Sequence, residues 1–221
     1  MILTIPDVLT PEELDKLTSA LAQGEYIDGK LTAGWHGKLV KNNQQLKSGT
    51  VTNQKLQKLV ITALQSNPLF EIAIRPRHIH SLLFSRYEVG MSYGRHTDNA
   101  LMGSNYLRSD VSFTLFLNSP DDYEGGELTV EFADSEKSYK LKSGSAIAYP
   151  STTLHHIEPI RQGTRLVAVG WVQSLIRDAN KREILFELET TRRTMFAKSG
   201  KTAEFDLLSK SISNLLRMWV D

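Results

Sequence analysis

The chain reads VSFTLFL at 111–117, ELTVEF at 127–132, SYKL at 138–141, SAIAY at 145–149, LHHI at 154–157 and TRLVAVGWV at 164–172. The runs are short, and turn residues separate them: Asn118-Ser119-Pro120, Gly125-Gly126, Lys142-Ser143-Gly144 and Gln162-Gly163. A further run, SLLFSRY, precedes them at 81–87. Several short strands punctuated in this way predict a β-sandwich, jelly roll or barrel. No helical period separates the later runs, which disfavours a parallel α/β sheet.

Helices flank this centre. Thr10-Pro11-Glu12-Glu13 is a helix start, with Thr10 as N-cap, Pro11 at the first helical position and Glu13 completing a capping box. Leu14, Leu17 and Leu21 follow at helical spacing, and Gly24 marks a stop. A second helix fits 53–65 through Leu56, Leu59 and Leu64, while 30–50 is polar and suggests no element. Beyond Val172 the pattern is helical again. Residues 181–193 carry Ile184, Leu185 and Leu188. Residues 207–219 form an amphipathic stripe through Leu207, Leu208, Ile212, Leu215, Leu216 and Trp219, with Asp206 as its expected cap. That stripe docks either on its own core or on a second copy, as a homo-oligomer would require. The expected organisation is an α+β chain with a mainly β core: a helical support region over 1–76, the core over 77–174 and a helical region over 175–221.

Composition narrows the function classes. Lys and Arg number 26 against 25 Asp and Glu, so no global field favours nucleic acid as a partner. Cysteine is absent, which excludes disulfides, thiolate nucleophiles and Cys-ligated zinc or Fe–S sites. The first residues carry Asp7, Glu12, Glu13 and Asp15 rather than a basic segment followed by an apolar one, so no secretory signal is expected. No apolar run approaches the roughly 18 residues of a membrane span. A cytoplasmic protein without a membrane partner is the expectation. Six lysines and no acid lie between Lys30 and Phe70; this is either a solvated face or a rim for an anionic substrate.

Six histidines are present, and three have suggestive neighbours. His96-Thr97-Asp98 places two metal-capable side chains at i and i+2, on one face of an extended strand. His155 or His156, on a later β segment, is the natural third ligand. Two His and one carboxylate form the facial set of non-haem Fe(II) oxygenases, which leaves positions open for other ligands. A His-x-Asp alone also fits a hydrogen-bonded surface pair. Arg165 strengthens the metal reading: strand alternation puts it on an apolar face with Val167, Val169 and Trp171. A guanidinium on such a face needs an anion, either a ligand carboxylate or a core acid such as Glu127.

The order Tyr87-x-x-Gly90-x-x-Tyr93-x-x-His96-x-Asp98, then His155-x-Ile157-x-Pro159, then Gly163-Thr164-Arg165 resembles the Fe(II)- and 2-oxoglutarate-dependent dioxygenases of the prolyl 4-hydroxylase type. Lys41-Asn42-Asn43-Gln44-Gln45, the stretch QSLIRD at 173–178 and LFEL at 185–188 narrow the resemblance to the bacterial PKHD-type hydroxylases, a group that includes PiuC-like proteins linked to iron uptake. The resemblance implies a double-stranded β-helix (jelly roll). It implies His96, Asp98 and His155 as iron ligands and Arg165 as the partner of the far carboxylate of 2-oxoglutarate. The His-x-Ile-x-Pro spacing selects His155 over His156, which then faces away. Tyr87 and Tyr93 match site-lining tyrosines, although aromatic packing explains each equally well.

The implied activity is oxidative decarboxylation of 2-oxoglutarate with O2, coupled to hydroxylation of a primary substrate the sequence does not identify. L-ascorbate is the implied reductant. A jelly roll that binds iron and 2-oxoglutarate as a sensor is the alternative; it would release no succinate. A zinc or manganese hydrolase on the same triad would work without oxygen.

Overall fold

A computed structural model describes residues 1–220. Asp221, the end of the expected C-terminal region, lies outside the described residues. The chain opens with strand β1 (Leu3–Ile5) and helix α1 (Pro11–Ala22). Three further short strands follow, β2 (Tyr26–Asp28), β3 (Lys41–Asn42) and β4 (Gln44–Leu46), and then helices α2 (Val51–Ser66) and α3 (Pro68–Ile74). Strands β5 (Pro76–Tyr87) and β6 (Ser92–His96) lead to a small hairpin, β7 (Leu101–Met102) and β8 (Leu107–Arg108). Next come β9 (Val111–Phe116), β10 (Tyr123–Gly125), β11 (Leu128–Glu131), β12 (Glu136–Tyr139) and β13 (Ala146–Pro150). Strands β14 (His155–Ile157), β15 (Ile160–Gly163) and β16 (Arg165–Ser174) complete the β core before helices α4 (Ala179–Ser199) and α5 (Ala203–Trp219).

Two antiparallel sheets face each other. The major sheet has the order β1-β13-β9-β16-β5-β4-β2, and the minor sheet β12-β11-β14-β6-β3. The fold is the expected jelly roll with flanking helices. Strand β9 explains why its sequence shows no apolar/polar alternation: all six residues are buried. Val111, Phe113 and Leu115 pack towards α1–α3, in a cluster with Leu17, Leu21, Val60, Leu64 and Phe70. Phe116 packs instead between the sheets, with Tyr149 and Val167 against Leu128, Val130 and Ile157. The major sheet is thus covered on both faces, which removes the polar side that alternation needs.

Several local expectations change. The region before Pro76 supplies strands as well as helices, and these extend both sheets: β1, β2 and β4 join the major one and β3 the minor one. Gln162-Gly163 is not a turn but the end of β15, which pairs with β10. Helix α5 is capped by Thr202, whose hydroxyl accepts from Phe205 N–H, and not by Asp206. Asp206 binds Lys201 Nζ at 2.6 Å instead. The apolar stripe of α5 docks within the same chain, where Leu208, Ile212, Leu215, Leu216 and Trp219 pack with Leu185 and Leu188 of α4 and with Ile176. Leu207 is outside that contact and 64% exposed. No helix among the described residues is long and apolar enough to cross a membrane.

Candidate metal centre

His96 ends β6 and His155 begins β14, and the antiparallel ladder sets the two directly opposite. Their rings lie 4.2 Å apart between centroids. Asp98, two residues past His96, brings its carboxylate to the same point: one ligand atom from each of the three residues lies within 4.8 Å of the other two. His156, next along β14, points away and meets Glu158 Oε1 at 3.0 Å. Strand alternation therefore divides the adjacent pair of histidines as the sequence spacing indicated.

The surroundings hold each of these side chains in one orientation. His96 Nδ1 faces the Gly94 carbonyl at 2.8 Å, and His155 Nδ1 faces the Thr153 carbonyl at 3.0 Å. A carbonyl only accepts, so both rings carry a proton on Nδ1, which leaves Nε2 as the nitrogen for a metal. Tyr93 stacks on His96 at 3.6 Å between centroids and 16° between planes. Burial, together with His155 nearby, pushes the His96 imidazole down to about 4, against the pull of Asp98. It is therefore neutral at pH 7. Asp98 Oδ2 lies 2.5 Å from Ser112 Oγ, which is itself 2.8 Å from Ser151 Oγ. The Ser112 hydroxyl has one proton, and the carboxylate only accepts; Ser112 therefore donates to Asp98 and accepts from Ser151.

The triad opens on a cavity of about 500 Å³ lying between the sheets. Arg165 enters it from β16, 1% exposed. None of its three guanidinium nitrogens makes a well-aligned hydrogen bond; the Tyr123 hydroxyl lies close enough to act on the guanidinium, and no carboxylate among the described residues pairs with it. Glu127 does not take the role of a core partner. Tyr87, opposite Arg165 in the ladder, and Phe116 present their rings to the guanidinium at 5.1 and 5.5 Å. Gly126 lets the arginine stem pass: a Cβ there would stand 3.0 Å from Arg165 Cδ, and its φ is +68°. Val169 and Trp171 line the cavity beside Arg165. One extra residue of β5 between their partners Leu83 and His80 makes a bulge, where Ser81 has φ +53°.

The chemistry of the pocket fits both groups that the sequence resemblance implies. Two imidazoles and a carboxylate suit Fe(II). A buried guanidinium with idle donors suits a ligand carboxylate, since an unpaired buried charge is costly. Tyr87 and Tyr93 both line the cavity. The sequence reading did not place Ser112, Ser151, Tyr123, Tyr149, Asn43 or Lys41 in the site. Of the six lysines from Lys30 to Lys58, Lys30, Lys38, Lys47, Lys55 and Lys58 are exposed, and Lys41 alone is buried.

Residues 82–173 match the 2OG-Fe(II) oxygenase superfamily. A PKHD-type hydroxylase of Picosynechococcus sp. is 67% identical over 219 residues, covering 99% of each chain. One from Gloeothece citriformis is 65% identical over 221 residues, covering all of both. Among solved structures, a Pseudomonas putida prolyl-4-hydroxylase superposes with a TM-score of 0.53 at 19% identity, over 78% of this chain and 92% of that one. This last likeness concerns the fold alone.

Proposed function

The chain belongs to the PKHD-type hydroxylases, within the 2OG-Fe(II) oxygenases, and from that premise we propose that His96, Asp98 and His155 hold its Fe(II) and Arg165 the far carboxylate of its 2-oxoglutarate. As a member of that family it is a 2-oxoglutarate-dependent dioxygenase. The observation that carries the assignment is Arg165, a guanidinium 1% exposed, without an acidic partner and in the same cavity as the triad.

Iron bound there supplies the redox chemistry by which O2 and 2-oxoglutarate give succinate and carbon dioxide, one oxygen atom passing to succinate and the other to the hydroxylated substrate. The chain's own part is geometry and electrostatics. His96 presents its lone pair without first losing a proton, and His155 stands opposite it on the neighbouring strand. Ser112 fixes the Asp98 carboxylate through Oδ2, the oxygen that stands 3.9 Å from His155 Nε2. Arg165 fixes the keto acid by a two-pronged grip, so its reactive end meets the triad in one orientation. Ascorbate as reductant, a cytoplasmic site of action and a link to iron uptake or homeostasis are part of this proposal and rest on the resemblance to the family.

The test is anaerobic titration of 2-oxoglutarate into the Fe(II) protein, read by its visible charge-transfer band. Arg165→Ala is expected to weaken 2-oxoglutarate binding by about tenfold or more, with Fe(II) affinity nearly unchanged. Arg165→Lys should recover only part, because an ammonium cannot form two parallel hydrogen bonds. Equal affinity in wild type and Arg165→Ala would make the arginine structural. Tight binding with no succinate released in air would make the protein a sensor instead.

A further inference from the structure

Asn43 is 3% exposed, and its side-chain amide makes no well-aligned hydrogen bond; the Tyr87 hydroxyl is the one polar side chain that acts on it. Gly29 makes room for it: a Cβ there would stand 1.8 Å from Asn43 Oδ1. Two residues earlier, Lys41 is 6% exposed. Its ammonium gives one donor to Thr32 Oγ1 at 2.9 Å, and the Thr32 hydroxyl lies 2.7 Å from Gln45 Oε1. Asp98 and Asp28 act on Lys41 only through space. Both Lys41 and Asn43 line the cavity. A buried cation with two of its three donors idle, and a buried amide answered at most by the Tyr87 hydroxyl, is a costly arrangement unless a ligand completes it.

We propose that Lys41 and Asn43 form a subsite that recognises a carboxylate of the primary substrate, beside the triad and separate from the Arg165 grip. This rests on the assignment of the triad and Arg165 made above. The two subsites stand on different sheets. Lys41 is on β3, opposite Tyr93 of the minor sheet, with its ammonium 5.2 Å from the Tyr93 ring that stacks on His96. Arg165 is on the major sheet, opposite Tyr87. 2-Oxoglutarate has two carboxylates, one for Arg165 and one for chelation at the metal, so neither is left for Lys41. Burial brings the Lys41 ammonium down to about 8, which keeps most of it charged at neutral pH. An ammonium and an amide N–H together suit the two oxygens of one carboxylate.

Acetate is the probe. It is titrated into the full-length protein loaded with Mn(II) and saturated with 2-oxoglutarate without oxygen, and the transverse relaxation of its methyl protons is followed. Wild type is expected to show a saturable paramagnetic component, and Lys41→Met to weaken it by about tenfold. Lys41→Arg should keep most of it, and 2-oxoglutarate affinity should be the same in all three proteins. Absence of a saturable component in wild type, or its persistence in Lys41→Met, overturns the subsite. Loss of 2-oxoglutarate binding in Lys41→Met assigns the lysine to the keto acid and overturns it equally. A wild-type sample that takes up neither Mn(II) nor 2-oxoglutarate overturns the reading of the triad and Arg165 before acetate is added.

Discussion

Ser112 lies in a run of apolar residues where nothing in the sequence marks it, yet its hydroxyl holds Asp98 Oδ2 at 2.5 Å. Partners of this kind orient a metal-binding carboxylate, and their loss costs about 10–100-fold in metal affinity. Ser112→Ala should weaken Fe(II) or Co(II) binding by that order, measured against a competing chelator, while the fold is kept. Unchanged affinity would mean that Asp98 is held without it. Asp98→Ala and His155→Ala should abolish tight binding, whereas His156→Ala should not, since His156 turns to Glu158. The contrast marks how far single residues are legible. His96, Asp98 and Arg165 announce themselves because charged and metal-binding groups on apolar strands need a reason. The choice of His155 over His156 rests on the family's His-x-Ile-x-Pro spacing, since two adjacent histidines are equivalent as residue types. Ser112 and Ser151 give no such signal, for a buried hydroxyl is common and its partner is decided by the ladder. Lys41 stands in the sequence as one of six lysines and as the first residue of a stretch that carries the family resemblance; its burial depends on β3 pairing with β6, a two-residue strand too short to carry a period.

At the scale of elements, the runs with strong local chemistry were legible. The capping box at Thr10 and Glu13 forms as read, with Glu13 Oε2 taking the Thr10 N–H at 3.0 Å. Local cues competed at α5, where Thr202 and Asp206 both offer cap oxygens, and the helix begins at the earlier one. The short helix α3 escaped notice because seven residues hold too few turns to show a period. For α5 the stripe was read one residue too wide, and a pair of substitutions tests the docked face. Ile212 is 2% exposed, so Ile212→Ala should cost about 2–4 kcal/mol in urea unfolding. Leu207→Ala, at 64% exposed, should stay within about 0.5 kcal/mol. Equal effects would mean that α5 does not pack on α4 in solution.

For the whole molecule, the two sheets place the triad on one wall and Arg165 on the other, and the cost of that design is a set of ionisable groups taken out of water. This makes stability depend on pH in a direction that can be worked out for the metal-free protein. His96 is pushed down to about 4 from its ordinary 6.5 by burial and by His155. Between those values the unfolded chain holds a proton that the folded chain does not, so stability falls as pH falls through the window, by about 3 kcal/mol at the limit. Lys41, brought down to about 8 from 10.5 by burial, follows the same rule at the alkaline side. There the unfolded chain again holds the extra proton, so stability rises with pH from about 8 towards 10.5. Urea midpoints of the metal-free protein should therefore climb between pH 4.5 and 6.5 and again above pH 8. His96→Leu should flatten the acid arm and Lys41→Met the alkaline arm, each leaving the other in place. A wild-type profile that is level across both windows would mean that water reaches these side chains more freely than their burial implies. An acid arm that survives in His96→Leu would move its origin to another group.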